Sequence, residues 1–128
     1  MGDLSRNFNR SEFACKCGCG YDRINSGVVA ALQAIRDEVA APVTVSSGCR
    51  CESHNRSVGG AANSQHLSGN AADFIIHGLS SSVAFAVVRR LHLRGKIYVG
   101  YAYQISRTAI HIDVRMPESQ VVKRWRQG

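Results

Sequence analysis

The sequence predicts an α+β fold, a small and mainly antiparallel sheet with helices packed on one face. Three observations lead there. Two stretches, 26–40 and 80–93, carry apolar residues at helical spacing. Four short stretches, 43–46, 71–76, 96–103 and 109–115, read as strands, and a turn over 105–108 returns the last beside the one before it. Asp73, His111 and Asp113 stand inside otherwise apolar strands, where a polar group is expensive unless paired or bound to a metal. The arrangement that satisfies all three has a sheet carrying Asp73 and His111, both helices over its opposite face, and a cleft on its open side.

At 128 residues the chain fits one domain, 1–128, and can bury a core without disulfides. Its 45% hydrophobic and 20% charged content is that of an ordinary globular protein. No run approaches the roughly 18 apolar residues of a membrane span. The opening Met1-Gly2-Asp3-Leu4-Ser5-Arg6 lacks the apolar centre of a signal peptide, so synthesis in the cytoplasm is expected. Sixteen basic against nine acidic residues give +7, which favours a polyanion without choosing among nucleic acid, anionic lipid and an acidic wall polymer.

In chain order, 5–20 opens as an irregular segment with Phe8 and Phe13 as anchors and a short helical turn at Ser11-Glu12. Cys15-Lys16-Cys17-Gly18-Cys19-Gly20 follows as a tight loop. With Cys49 and Cys51 the cysteines number five, and neither cluster has the C-x-x-C spacing of zinc ribbons or redox motifs. Buried small residues or a disulfide staple is the preferred reading. A second metal site completed by Cys49 and Cys51 is the other.

Asn25 or Ser26 caps a helix through Val39 or Ala40, with Val28, Leu32, Ile35 and Val39 on one face and Gln33, Arg36 and Asp37 away from it. Pro42 starts the strand Val43–Ser46, and Ser47-Gly48 ends it. Arg50 lies just beyond, where its planar fork suits a substrate carboxylate and a surface ion pair equally. His54-Asn55-Arg56 forms a short helix, and Gly59-Gly60-Ala61-Ala62 leads into the next loop. Ala71–Ile76 is a strand buried on both faces, with His77 at its end. Ser80 or Ser81 caps the second long helix, with Val83, Phe85, Ala86, Val87 and Leu91 inward and His92 at the surface. In the returning strand a period of two puts Ala109, His111 and Asp113 on one face and Ile110, Ile112 and Val114 on the other. In the tail, Trp125 packs back on the body beside Lys123, Arg124 and Arg126.

His66 and Asp73 lie seven residues apart with mostly small residues between them, and His111-Ile112-Asp113 comes much later. Two imidazoles and a carboxylate suffice to hold zinc with one position open, which is the pattern of catalytic rather than structural zinc.

The motif Ser64-x-His66-x-x-Gly69-x-Ala71-x-Asp73 with His111 resembles the zinc D,D-peptidases and endolysin peptidases of family M15, which share a fold with the hedgehog signalling domain. Ser47-Gly48-x-Arg50 ahead of His54-Asn55, then Gly59-Gly60-Ala61, brings the sequence closest to one sub-type, and the likeness runs from about Phe8 to Arg115. It implies Zn2+ held by His66, Asp73 and His111, with substrate contacts from Arg50 and Ser64. It also implies hydrolysis of an amide in the peptide stems or cross-links of peptidoglycan by a monomer. A phage lysis or virion-borne enzyme acting on the cell wall is the expected setting.

One position departs from the pattern. Many members carry an acid three residues before the last zinc histidine as general base, and here that residue is Thr108. Asp113 is the substitute, with support of His111 as its other role. That departure keeps a second reading open, a non-catalytic zinc module binding the wall or a protein. A cysteine-based zinc module for nucleic acid fails on spacing, and a serine or cysteine nucleophile lacks an elbow motif such as G-x-S-x-G.

Overall fold

A computed structural model describes residues 2–115. The tail residues, including Trp125, lie outside that range. In chain order the elements are α1 (Ser26–Val39), β1 (Val43–Ser47), α2 (Glu52–Ser57), β2 (Ala71–Ile76), α3 (Ser81–Leu93), β3 (Tyr101–Gln104) and β4 (Ala109–Asp113). Short 3-10 turns at Arg10–Phe13 and Gln65–Ser68 complete them. The four strands form one antiparallel sheet in the order β1-β2-β4-β3.

Register sorts the side chains. Ser47, Asp73, His111 and Tyr103 stand in one row across all four strands, and Val45, Phe74, Ile110 and Gln104 in the next. Because successive strand residues point to opposite faces, the first row lines the open face and Val45, Phe74 and Ile110 enter the core. Between Val45 and Ser47 the register of β1 slips, so Ser47 rather than Ser46 stands opposite Asp73.

The core joins Val28, Leu32 and Ile35 of α1 and Ala84, Phe85, Val88 and Leu91 of α3 with Phe74, Ile76, Ile110 and Ile112 of the sheet. Phe8 and Phe13 are fully buried with ring centroids 6.0 Å apart, and so anchor the N-terminal arm as expected. Asn25 caps α1 by accepting the Gly27 N–H, and Ser80 caps α3 by accepting the Val83 N–H, two polar start signals readable in the sequence. Gln33 does not simply face away. Its amide oxygen accepts the Asn7 N–H at 2.8 Å and the Ser5 hydroxyl at 2.7 Å, fastening the arm to α1.

Three expectations are corrected. The apolar face of α3 is turned from the one predicted. Phe85, Val87 and Leu91 face inward as expected, but Val83 is 49% exposed and Ala86 is exposed, and Ser81, Ala84 and Val88 are buried in their place. The strand predicted over 96–103 begins only at Tyr101. Upstream, backbone N–H groups are taken by the end of α3: Lys96 donates to the Leu91 carbonyl and Val99 to Nδ1 of His92, which is half-buried rather than at the surface. A segment bonded to a helix end cannot also extend a sheet ladder.

Candidate metal centre

His66 arrives on the 3-10 turn 65–68. Ser64 caps the turn, its hydroxyl oxygen accepting the His66 N–H at 3.2 Å. Gly69 closes it at φ +70, where an added Cβ would lie 2.1 Å from the Arg23 carbonyl oxygen, so only glycine fits. The loop is tied to the body by the Tyr21 hydroxyl donating to the Leu67 carbonyl and by the Asn25 N–H donating to the Gly69 carbonyl, both at 2.8 Å. Asp73 of β2 and His111 of β4 face each other by strand register. One ligand atom from each of His66, Asp73 and His111 falls within 4.8 Å of the other two. The structure therefore brings together the three residues that the spacing singled out.

The outer partners of the two rings decide which nitrogens face inward. Nδ1 of His66 lies 2.6 Å from the Gly48 carbonyl oxygen, which only accepts, so Nδ1 carries the proton and Nε2 is left with a lone pair. Nε2 of His111 lies 2.8 Å from Oδ2 of Asp113 and donates to it, leaving Nδ1 with the lone pair. Both inward nitrogens point at Oδ1 of Asp73, at 3.1 and 2.8 Å. Three acceptors thus converge on one point, which calls for a cation. A tetrahedral ion with bonds of about 2.0–2.1 Å holds its ligand atoms roughly 3.3 Å apart, close to the spacing found.

Protons compete for the same point. Burial pulls the pKa of His111 down, but Asp113 and Asp73 outweigh burial and raise it. Burial pushes Asp73 up, while His111 and His66 hold it well below the ordinary carboxylate range. Asp113 has no exposed surface. Burial raises its pKa too, yet His111 and Arg115 keep it ionised. Its oxygens accept from Nε and Nη2 of Arg115 at 2.8 and 2.7 Å as well as from His111. The pattern is a carboxylate–histidine–metal chain.

The profile of the Peptidase M15 family matches residues 6–113, a span that holds His66, Asp73, His111 and Asp113. The chain belongs to the Peptidase M15 family. M15 peptidases are metallopeptidases, and the donor set of this M15 chain fits a metal ion. Among solved structures, the L-Ala D-Glu endopeptidase ChiX of Serratia marcescens is similar in fold, with a TM-score of 0.53 and 19% sequence identity. The likeness covers 71% of this chain and 80% of that one. A comparison with curated proteins gives no match.

A cleft of about 460 Å³ opens over the three residues of the M15 chain, with Arg50, Gly60, Ser64 and Tyr103 among its walls. Arg50 is held from three sides: Nε donates to Ser47, Nη1 to Oδ1 of Asn55 and Nη2 to Oδ2 of Asp73, at 3.0, 3.2 and 3.3 Å. Tyr103 stacks on His111 with centroids 4.6 Å apart. Asp113 lies behind His111 and is not among the cleft residues, and Thr108 faces a separate hollow with Ile75 and Leu79. His54 and His77 stay out of the cleft, His77 pairing instead with the Thr44 hydroxyl at 2.8 Å. Sequence reasoning missed Tyr103 and Arg115, and gave no role to Ser47 and Asn55 although both stand in the motif that carries the resemblance. Tyr103 carried a signal, since its strand alternates, but only the β3–β4 register sets it beside His111.

Proposed function

We propose that this M15 chain is a zinc peptidase of peptidoglycan, cutting an amide bond in stem peptides or cross-links. The observation that carries this reading is the convergence of three acceptors, Nε2 of His66, Nδ1 of His111 and a carboxylate oxygen of Asp73, at the floor of an open cleft. When bound there, zinc supplies Lewis-acid polarisation of a carbonyl and activation of a water molecule. The protein's own part is positioning. Gly48 and Asp113 fix the two ring tautomers, Tyr103 covers one face of His111, and Ser64 holds the turn that presents His66. Arg50 presents a guanidinium to the cleft, suited to the carboxylates of a stem peptide.

The fold likeness to an L-Ala D-Glu endopeptidase makes that bond one candidate, beside D-Ala-D-Ala termini and D-Ala cross-links. The same reading sets the work of a monomer at the cell wall, reached by a phage lysis or virion-borne route, where a net charge of +7 suits an anionic sacculus.

One observation favours a second reading, a non-catalytic zinc module of the same fold. Among the described residues lining the cleft, Asp73 is the one carboxylate, and it is a proposed ligand. Zinc content and the release of new amino termini from purified sacculi separate the two. Cleavage that a chelator stops and added zinc restores supports the peptidase. Bound zinc with no cleavage of any wall preparation supports the binder. Mass spectrometry of the released fragments identifies the bond.

A further inference from the structure

We propose that Cys15, Cys17, Cys19 and Cys51 form a second metal site, a structural tetrathiolate centre for zinc, separate from the histidine–aspartate centre. Their four sulfur atoms lie within 4.8 Å of one another. The Cys15–Cys17, Cys17–Cys51 and Cys15–Cys51 pairs stand 3.5, 3.6 and 3.9 Å apart. A zinc–sulfur bond of about 2.3 Å places tetrahedral thiolates about 3.8 Å apart, and these distances bracket that value. A disulfide needs about 2.05 Å, and all five cysteines are free.

The local chain is shaped for the purpose. Alternate residues of an extended strand share a side but stand about 6.8 Å apart, too far for three sulfurs to meet one ion. Here Gly18 at φ +84 bends the loop, and its N–H closes a turn on the Cys15 carbonyl at 3.2 Å. The fourth ligand comes from Cys51 at the start of α2. Backbone donors point at the sulfurs: the Cys51 N–H at Cys15 Sγ, 3.5 Å, and the His54 N–H at Cys51 Sγ, 3.4 Å. Such N–H groups oppose the negative charge that thiolate ligands bring. Cys17 and Cys19 are exposed, which packing alone does not explain.

The odd count resolves as four plus one. Cys49 is 1% exposed, sits in the apolar core, and lies outside the group. The site joins the N-terminal arm to the segment 48–51, whose Arg50 reaches the cleft. It is a staple for that wall.

The test uses the whole chain purified under reducing conditions. Wild type should hold two equivalents of zinc, and a His66→Ala/His111→Ala variant and a Cys17→Ser/Cys19→Ser variant one each. Loaded with cobalt(II), the histidine variant should show a thiolate-to-cobalt charge-transfer band in the near ultraviolet. The cysteine variant should lack it. Should that cysteine variant fail to fold, wild type still decides: a mercurial titrating four thiols should release one equivalent of zinc to a chromogenic chelator. A folded histidine variant with no metal and no charge-transfer band overturns the proposal. So do thiols that react without releasing metal, or that map into disulfides.

Discussion

Asp113→Asn separates two roles for one buried carboxylate. The two oxygens of Asp113 receive Nε2–H of His111 at 2.8 Å and three donors of Arg115: Nη2 at 2.7, Nε at 2.8 and the backbone N–H at 3.3 Å. Asparagine keeps the shape and leaves one acceptor. With its oxygen toward His111, its NH2 meets Nε–H and N–H of Arg115, donor against donor. With its NH2 toward His111, the ring must move its proton to Nδ1, the atom 2.8 Å from Asp73 that the metal needs. Either choice loses charged hydrogen bonds worth about 1.5–3 kcal/mol each, part of which the site recovers by relaxing. Outer partners of metal-bound histidine contribute about 10–100-fold to metal affinity, or roughly 1.4–2.8 kcal/mol. We expect zinc affinity, measured by competition with a chromophoric chelator, to fall by that factor. Turnover should recover when zinc is saturating. The reasoning is refuted if affinity holds while kcat at saturating zinc falls about 10²–10⁴-fold, the loss of a general base.

Three further outcomes follow from the same geometry. Arg50→Lys replaces a fork held by Ser47, Asn55 and Asp73 with a point charge, and steady-state kinetics on a wall peptide should show KM raised about tenfold or more with kcat changed less. Gly69→Ala forces an L residue to φ +70 and a Cβ against the Arg23 carbonyl, so stability measured by denaturant should fall by more than the about 1–2 kcal/mol of the left-handed conformation alone. Burial lowers the pKa of His92, whose Nδ1 accepts the Val99 N–H. Its contribution is therefore full above the ordinary histidine value of about 6.5 and is lost as pH falls through that value toward the lowered one. Thermal melts from pH 7.5 to 5.5 should show a shallower decline for His92→Gln than for wild type.

The candidate metal-binding residues His66 and Asp73 were legible because the information is local. Ser64, His66 and Gly69 define one capped turn, and Asp73 is conspicuous as an acid in the apolar run Ala71–Ile76. The faces of β4 followed from a period of two. What pairs with what was not legible, because a strand's sequence does not state its partner's register. The row Ser47, Asp73, His111, Tyr103 exists only once β1 has docked on β2, β2 on β4 and β3 on β4. The same limit hid the contact of Asn55 with Arg50, which α2 brings about, and made Cys49 look equivalent to Cys51. Two residues apart in an extended segment, they would share a side; the start of α2 at Glu52 turns Cys51 to the thiols while Cys49 enters the core. Over 96–99 the apolar alternation was genuine, but the end of α3 captured the Lys96 and Val99 backbone donors first.

The segment Ser47–Cys51 links every part of the site, and that explains why the N-terminal arm belongs to the catalytic body. The Ser47 hydroxyl takes Nε of Arg50, and the Gly48 carbonyl fixes the tautomer of His66. The Cys49 N–H donates to the Phe13 carbonyl at 2.8 Å, and the Arg50 N–H to the His66 carbonyl at 3.0 Å. A Cβ at Gly48 would lie 2.6 Å from that Phe13 oxygen, so the arm and the segment are in close backbone contact. Apart from the arm, the segment is held by the β1 ladder on one side, by α2 on the other, and by the Arg50 N–H on the His66 carbonyl. Removing the arm would leave the Cys49 N–H without its acceptor and weaken the hold on the Gly48 carbonyl beside His66. Loss of that hydrogen bond would let the imidazole proton settle on either nitrogen, so that Nε2 would no longer be kept open toward Asp73. The irregular opening residues thus act on the metal centre through one carbonyl oxygen, without contributing a ligand to it.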